Sequence, residues 1–283
     1  MQLDRRRLLV LAAGTAAALA GCSERRAAST AAAPSPALPA APAPVANRGP
    51  ESYGSRFPTA APRPLPPIPA AQPGFPHLVE QLPHGTRALA LTIDDGFDPA
   101  TVAAYVRFAQ DSGIAVTFGP NGVYAAEWER HAADLRPLVE SGQVQIQNHT
   151  FSHLRMTRLP DTRLRAELER NEEWIQRTFG TTARPWWRPP FGIHNERTDS
   201  LAAELGSTRT LMWNGSLGDA RLLTPTVLLQ QAGLYVRPGT VLLGHANHPT
   251  VTHLYGELVA LIRSRNLTPQ TLDQAFGTSR ATG

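Results

Sequence analysis

A chain of 283 residues with a formal net charge of +4 is long enough for one large domain or two small ones, and its scattered arginines form no stripe of the kind that binds nucleic acid. The absence of lysine reads as a coding bias, and the single cysteine, Cys22, excludes both an intramolecular disulfide framework and a thiolate metal cluster. Composition changes sharply along the chain, so the folded part has to be located first.

Residues 1–22 open with Arg5, Arg6 and Arg7, continue through an apolar run to Ala20 and close on "LAGC". That is the order of charge, apolar run and small residues in an export signal, and the run is too short for a permanent membrane helix, which needs roughly 20 residues. "DRRRLL" resembles a twin-arginine export signal. "LAGC" resembles the lipobox of bacterial lipoproteins, whose cysteine becomes the lipid-modified first residue of the mature chain. The expected protein is exported and tethered to the outer face of the cell membrane through a lipid anchor at Cys22, its one membrane contact. Residues 23–76 are dominated by Ala, Pro, Ser and Gly, in stretches such as "APSPALPAAPAP". Such a segment buries too little apolar surface to offset the entropy of ordering it, so it reads as a disordered, semi-rigid spacer. The folded domain is expected over residues 77–283.

From Thr86 onward, apolar runs of strand length alternate with segments of helical period. "ALALTI" over 88–93 predicts the first strand, and "PATVAAYVRFAQDSG" predicts a helix with Val102, Tyr105, Val106, Phe108 and Ala109 near one face, ended by Gly113. The pattern repeats through strands at 115–118, 144–147, 186–188, 210–213 and 240–244, with a seventh near 268–272. Helices are predicted at 126–141, 161–179, 197–205, 224–235 and 250–264. Serial strand–helix units argue for a parallel α/β architecture, barrel-like or doubly wound. In either version the strand C-termini form the functional face.

Each unusual polar cluster follows a strand: "DDG" after Ile93, "NHTFSH" after Gln147, "RPPFG" after Trp187, "GD" at Gly218 and Asp219, and "GHANH" after Leu243. Five clusters from five places in sequence are therefore predicted to meet on one rim. His149 and His153, four apart, would lie on one side of a helical turn, where both can ligate a cation. With a carboxylate from the same rim they make a three-ligand set that leaves positions for water and substrate. Asp95 is the natural third ligand, and Asp94 is then left unligated and placed to take a proton from water. Two adjacent carboxylates repel unless a cation neutralises one and a cationic side chain steadies the other. Arg188, stiffly flanked by Trp187, Pro189 and Pro190, is the candidate for the second task. His245 could be a further metal ligand, a general acid or a satisfied core histidine. Proton donor is the role the other residues leave vacant, with Asp219 able to orient its imidazole.

These residues carry a resemblance. "TIDDG", "HTFSH", "RPPFG", a reduced "GDA" and "LLGH" follow one another in the order of the five motifs of the polysaccharide deacetylases, the family-four carbohydrate esterases. The first three motifs together are specific, and the likeness covers about residues 88–276. It implies a distorted (β/α) barrel of about seven parallel strands, a single catalytic domain behind the disordered spacer. It also implies a divalent metal, often zinc, and metal-assisted removal of N-acetyl, or in some members O-acetyl, groups from amino sugars. Asp94 would be the base, and Asp95, His149 and His153 the metal ligands, with Arg188 and Asp219 supporting Asp94 and His245. Phe191, Gly192, Trp213 and Leu243, in or beside these motifs, are the expected substrate contacts. The expected partner is an acetylated extracellular polysaccharide, peptidoglycan or chitin-like, acted on by a monomer. Two departures stand out: the fourth motif normally reads Asp, two residues, Asp, Trp, and here Ser216 stands for its first Asp and Ala220 for the Trp that walls the acetyl pocket.

Overall fold

The computed structural model describes Glu51 and residues 53–278. The expected export signal, Cys22 with it, and the first part of the expected spacer lie outside the described residues. No helix among the described residues is long and apolar enough to cross a membrane.

Every strand pairing is parallel, as the strand–helix alternation requires. The central strand β2 (Ala88–Asp95) lies between β3 (Val116–Pro120) and β8 (Thr240–His245). β4 (Val144–Ile146) extends this sheet beyond β3, and β7 (Gly215–Ser216) extends it beyond β8. A second sheet has the order β1 (His77–Val79), β6 (Arg209–Leu211), β5 (Trp186–Trp187). A parallel bridge between Asn148 and Trp187 links the end of β4 to β5, so the two sheets form a split barrel. β9 (Thr268–Pro269) pairs with the start of β2.

β2 is buried along its whole length, which is why it reads as a continuous apolar run rather than an alternating one. Its two faces still differ. Leu89, Leu91 and Ile93 pack in the main core, whereas Ala88 and Ala90 join Trp186, Leu211, Val241 and Leu272 in a second cluster. With a side-chain period of two, Thr92 and Asp94 continue the second face toward the rim. The helix α1 (Pro99–Ser112) follows, capped by the Asp98 side chain, which accepts from Thr101 N–H at 2.7 Å, and ended by Gly113 at φ 71°.

The structure departs from the sequence expectation in four places. The predicted helix over 126–141 is two helices, α2 (Ala125–Glu129) and α3 (Ala132–Glu140). β1 and β7 were not anticipated, being too short to show an apolar run. The predicted strand near 268–272 stops at Pro269, and Thr271, with a capping box to Gln274, starts the helix α8 (Leu272–Phe276) instead. The remaining helices, α4 (Asp161–Phe179), α5 (Glu196–Glu204), α6 (Pro225–Tyr235) and α7 (Tyr255–Ser264), lie where periodicity puts them, although 3₁₀ turns replace the first residues expected for α7.

The fourth departure is the domain boundary at residue 77. Residues 53–76 run along the domain as a strap. Tyr53 is only 6% exposed and packs edge-on against Phe108 of α1 at 5.7 Å. Phe57 N–H donates to Ser112 O at 2.8 Å, the Arg263 guanidinium lies 4.2 Å over the Phe57 ring, and Gly74 N–H donates to Ala203 O at 3.2 Å. A Cβ at Gly113 would sit 2.3 Å from Phe57 O, so the close approach of the strap needs glycine there. The composition hid this because proline favours extension whether or not the segment is docked. A pre-extended segment loses less entropy on docking, and the apolar anchors Tyr53, Phe57 and Leu65 suffice to hold it.

Candidate active site

Residues from four of the five polar clusters line one cleft of about 330 Å³ at the C-terminal end of the strands, among them Asp94, His149, Arg188 and His245. Of the fifth, Asp219 reaches the site through its hydrogen bond to His245, and the neighbouring Ala220 lines the cleft. Asp94 ends the inward face of β2, and Asp95 follows at φ 68°, a left-handed conformation that a non-glycine residue adopts only when its surroundings hold it.

Asp94 is buried and fully engaged on one oxygen. Its Oδ1 accepts from Arg188 Nη1 at 2.9 Å and from Gln147 Nε2 at 3.0 Å, and its Oδ2 lies 3.1 Å from the same Arg188 nitrogen. Arg188 is itself aimed by Thr92 Oγ1 and by the Leu211 and Met212 carbonyls. A Cβ at Gly119 would fall 1.9 Å from Gln147 Nε2 and 2.5 Å from Asp94 Oδ1, so glycine on β3 makes room for this cluster.

Asp95 faces the two histidines. Its Oδ1 is 3.3 Å from His149 Nε2 and 3.4 Å from His153 Nε2, and the three ligand atoms lie within 4.8 Å of one another. That Oδ1 is buried with no hydrogen-bond partner, while Oδ2 accepts from Asn247 Nδ2 at 2.7 Å. His149 donates Nδ1–H to Arg188 O at 2.8 Å, which leaves the Nε2 lone pair for a ligand. A buried orphan carboxylate oxygen facing a fixed imidazole lone pair and a second imidazole is a donor set that fits a divalent cation.

The histidines do not reach this position from a helical turn, as their spacing suggests. They sit on an irregular loop with Thr150 at φ 66° and His153 at φ 52°. Buried amides hold it: Asn121 Nδ2 donates to the His149 and Thr150 carbonyls, Asn148 Oδ1 accepts from Thr150 N–H, and Asn171 Nδ2 donates to Asn148 Oδ1. The Glu167 carboxylate accepts from Ser152 N–H at 2.7 Å.

His245 stands outside the metal-ligand group. It donates Nδ1–H to Asp219 Oδ1 at 2.9 Å, and its backbone N–H donates to Asp219 Oδ2 at 3.2 Å, so Nε2 is the nitrogen left for chemistry. Burial alone would lower the His245 pKa, but the hydrogen bond and charge of Asp219, with Asp94 and Asp95 behind it, raise it above the ordinary histidine value. Burial pushes the Asp95 carboxyl up, and the neighbouring His149 imidazole, with His153 and His245, more than reverses this and holds it well below the carboxylate range. The same carboxylates raise His149 against its burial, whereas burial and the neighbouring His149 lower His153.

The expected substrate contacts Phe191, Gly192, Trp213 and Leu243 all line the cleft. Sequence reasoning missed Gln147 and Asn247, although both were in view, Gln147 as the last residue of a predicted strand and Asn247 inside "GHANH". Their amides touch Asp94 and Asp95. A polar residue where a buried strand ends was the available signal.

Fold and site together define a parallel α/β protein whose strand ends carry a candidate metal triad beside an unligated carboxylate and a histidine–aspartate pair. Residues 81–210 match the family model described as Polysaccharide deacetylase, which supports a polysaccharide deacetylase domain there. The match takes in Asp94, Asp95, His149, His153 and Arg188 and ends before Asp219 and His245. An uncharacterised protein of Streptomyces coelicolor is 28% identical over 192 residues, covering 67% of this chain and 72% of that one. The peptidoglycan-N-acetylglucosamine deacetylase of Bacillus cereus is 27% identical over 210 residues, covering 70% and 71%. Among solved structures, a CE4 family pseudoenzyme from Bacillus anthracis superposes with a TM-score of 0.63 at 20% identity, over 71% of this chain and 69% of that one. That likeness speaks for the fold.

Proposed function

We propose that the protein is a metal-dependent deacetylase that removes N-acetyl, or O-acetyl, groups from an extracellular polysaccharide, most simply peptidoglycan or a chitin-like amino sugar. One observation carries the reading: Asp94 lies beside the Asp95–His149–His153 triad without belonging to it, in the same cleft as the Asp219-supported His245. Asp95, His149 and His153 would hold a divalent cation, zinc in the family that the motifs resemble, and it would supply Lewis-acid polarisation of an acyl carbonyl. Asp94, ionised against Arg188, accepts the proton of the attacking water. His245, whose hold on its proton Asp219 strengthens, gives a proton to the departing amine through Nε2. Export and lipid attachment at Cys22 belong to the same proposal, because a polymer outside the cell needs an enzyme outside it.

The other reading is a glycan-binding module without turnover, which the pseudoenzyme among the structural neighbours keeps open. A binder needs neither a second carboxylate beside the triad nor an imidazole braced by an aspartate. The test is acetate release by the zinc-loaded protein from a panel of N-acetylglucosamine oligomers, peptidoglycan, acetylated xylan and a small non-sugar amide. Release from an amino-sugar polymer is expected, and metal binding with no acetate from any glycan would overturn the reading.

A further inference from the structure

Phe97 is the residue that the chemistry leaves unexplained. It follows the catalytic carboxylates by two positions, lines the same cleft and is 46% exposed. A large exposed aromatic beside a polar cleft is an informative departure from ordinary burial. Its backbone is fixed on both sides, since Asn247 Oδ1 accepts from Gly96 N–H at 3.2 Å and Asp98 caps α1. Its ring meets rings from two other segments: Tyr124, from the 3₁₀ turn after β3, at 6.0 Å, and His248, from the loop after β8, edge-on at 5.7 Å. Three separate segments thus build one aromatic cluster, of which Phe97 and Tyr124 line the cleft.

The geometry points to a stacking platform: Phe97, braced by Tyr124 and His248, receives the apolar face of a second pyranose ring of an uncharged oligosaccharide, so that the cleft selects chains over single sugars. Two facts set the occupant. The cleft, at about 330 Å³, is at the low end of the roughly 300–1,000 Å³ that hold a drug-sized ligand, so it takes one ring and the neighbours rest on the lip. Among the described residues Arg188 is the one arginine that lines the cleft, and it is paired with Asp94, so the cleft wall itself offers no free guanidinium to an anionic polymer. Aromatic rings offer area and shape to the C–H face of a sugar, as they do to other flat partners.

This inference rests on the deacetylase reading and chooses between its two polymers, the uncharged chitin-like chain over peptidoglycan, whose strands carry carboxylates. The experiment measures calorimetric affinity for N-acetylglucosamine and its tetramer in the zinc-loaded Asp94→Asn background, where bound oligomer is not consumed. Phe97→Ala, Phe97→Leu and Phe97→Trp are compared there, with zinc content as the control for folding. The tetramer is expected to bind tighter than the monomer. Phe97→Ala and Phe97→Leu should lower the tetramer-to-monomer affinity ratio by about 10-fold, the order expected for an aromatic contact, and Phe97→Trp should restore it. A ratio that does not change in Phe97→Ala and Phe97→Leu, or a parent that binds monomer and tetramer alike, overturns the platform. Tetramer binding that depends on Phe97, with no acetate released by the protein carrying Asp94, sinks the deacetylase reading and leaves the platform standing.

Discussion

Asp94 and Asp95 are adjacent carboxylates with opposite surroundings, and the difference sets their roles. Asp94 is gripped by Arg188 and Gln147, whereas Asp95 turns one oxygen to Asn247 and the other, unpartnered, to two imidazoles. Asp94→Asn keeps a side chain that Arg188 still holds and removes the proposed base without touching the triad. Zinc content should stay at the parent level while kcat/KM falls by about 10²- to 10⁴-fold, the usual contribution of a general base. Activity within a factor of two of the parent would remove Asp94 from the role. His245 gives a pH prediction with a definite sign. A proton donor works only below its pKa, so activity should decline as pH rises through the His245 value, which Asp219 raises. Asp219→Asn removes that carboxylate charge, so the alkaline limb of the kcat/KM profile should move to lower pH. A limb that stays in place would show that another group titrates there.

The long strands and helices are legible in the sequence; the two- and three-residue strands β1 and β7 and the loops that aim the candidate ligands are not. β2 and α1 announce themselves because burial on both faces makes a continuous apolar run and a helix buries a periodic stripe. The loop carrying His149 and His153 has no period, and its left-handed residues Thr150 and His153 are held by Asn121, Asn148 and Asn171 from elsewhere in the chain. Spacing alone suggested a helical turn, and long-range amide hydrogen bonds, invisible to a local window, decide otherwise. The candidate site was nonetheless readable as a set of residues, since each cluster follows a strand and parallel strand ends share a rim. The loop after β7 brings a departure of its own. Ala220 lines the cleft with Trp213 and Phe191, and a Trp there would bury about 150–250 Å² more surface. Ala220→Trp should raise the preference for acetyl over butyryl substrates by about 10-fold, if a methylene-scale fit is worth roughly 1–3 kcal/mol. An unchanged acyl preference, measured as a ratio of kcat/KM values, would show that Trp213 or Phe191 already forms the wall.

The folded unit is longer than the stretch that periodicity or family matching delimits, because the strap of residues 53–76 belongs to it. Tyr53 is buried against Phe108, and Phe57 lies under Arg263. Uncovering a buried aromatic costs about 3–5 kcal/mol, so a chain beginning at His77 should melt roughly 10 °C below one beginning at Glu51. Equal melting temperatures would show that the strap is passively laid on the surface. The strap also has a direction. α1 starts at the cleft, just behind Asp95, and ends at Ser112, where Phe57 docks. The lipid anchor proposed at Cys22 would therefore draw on the end of the barrel remote from the cleft, as a post holds a lamp, and an enzyme held by that route would turn its open end toward the polymer proposed as its substrate.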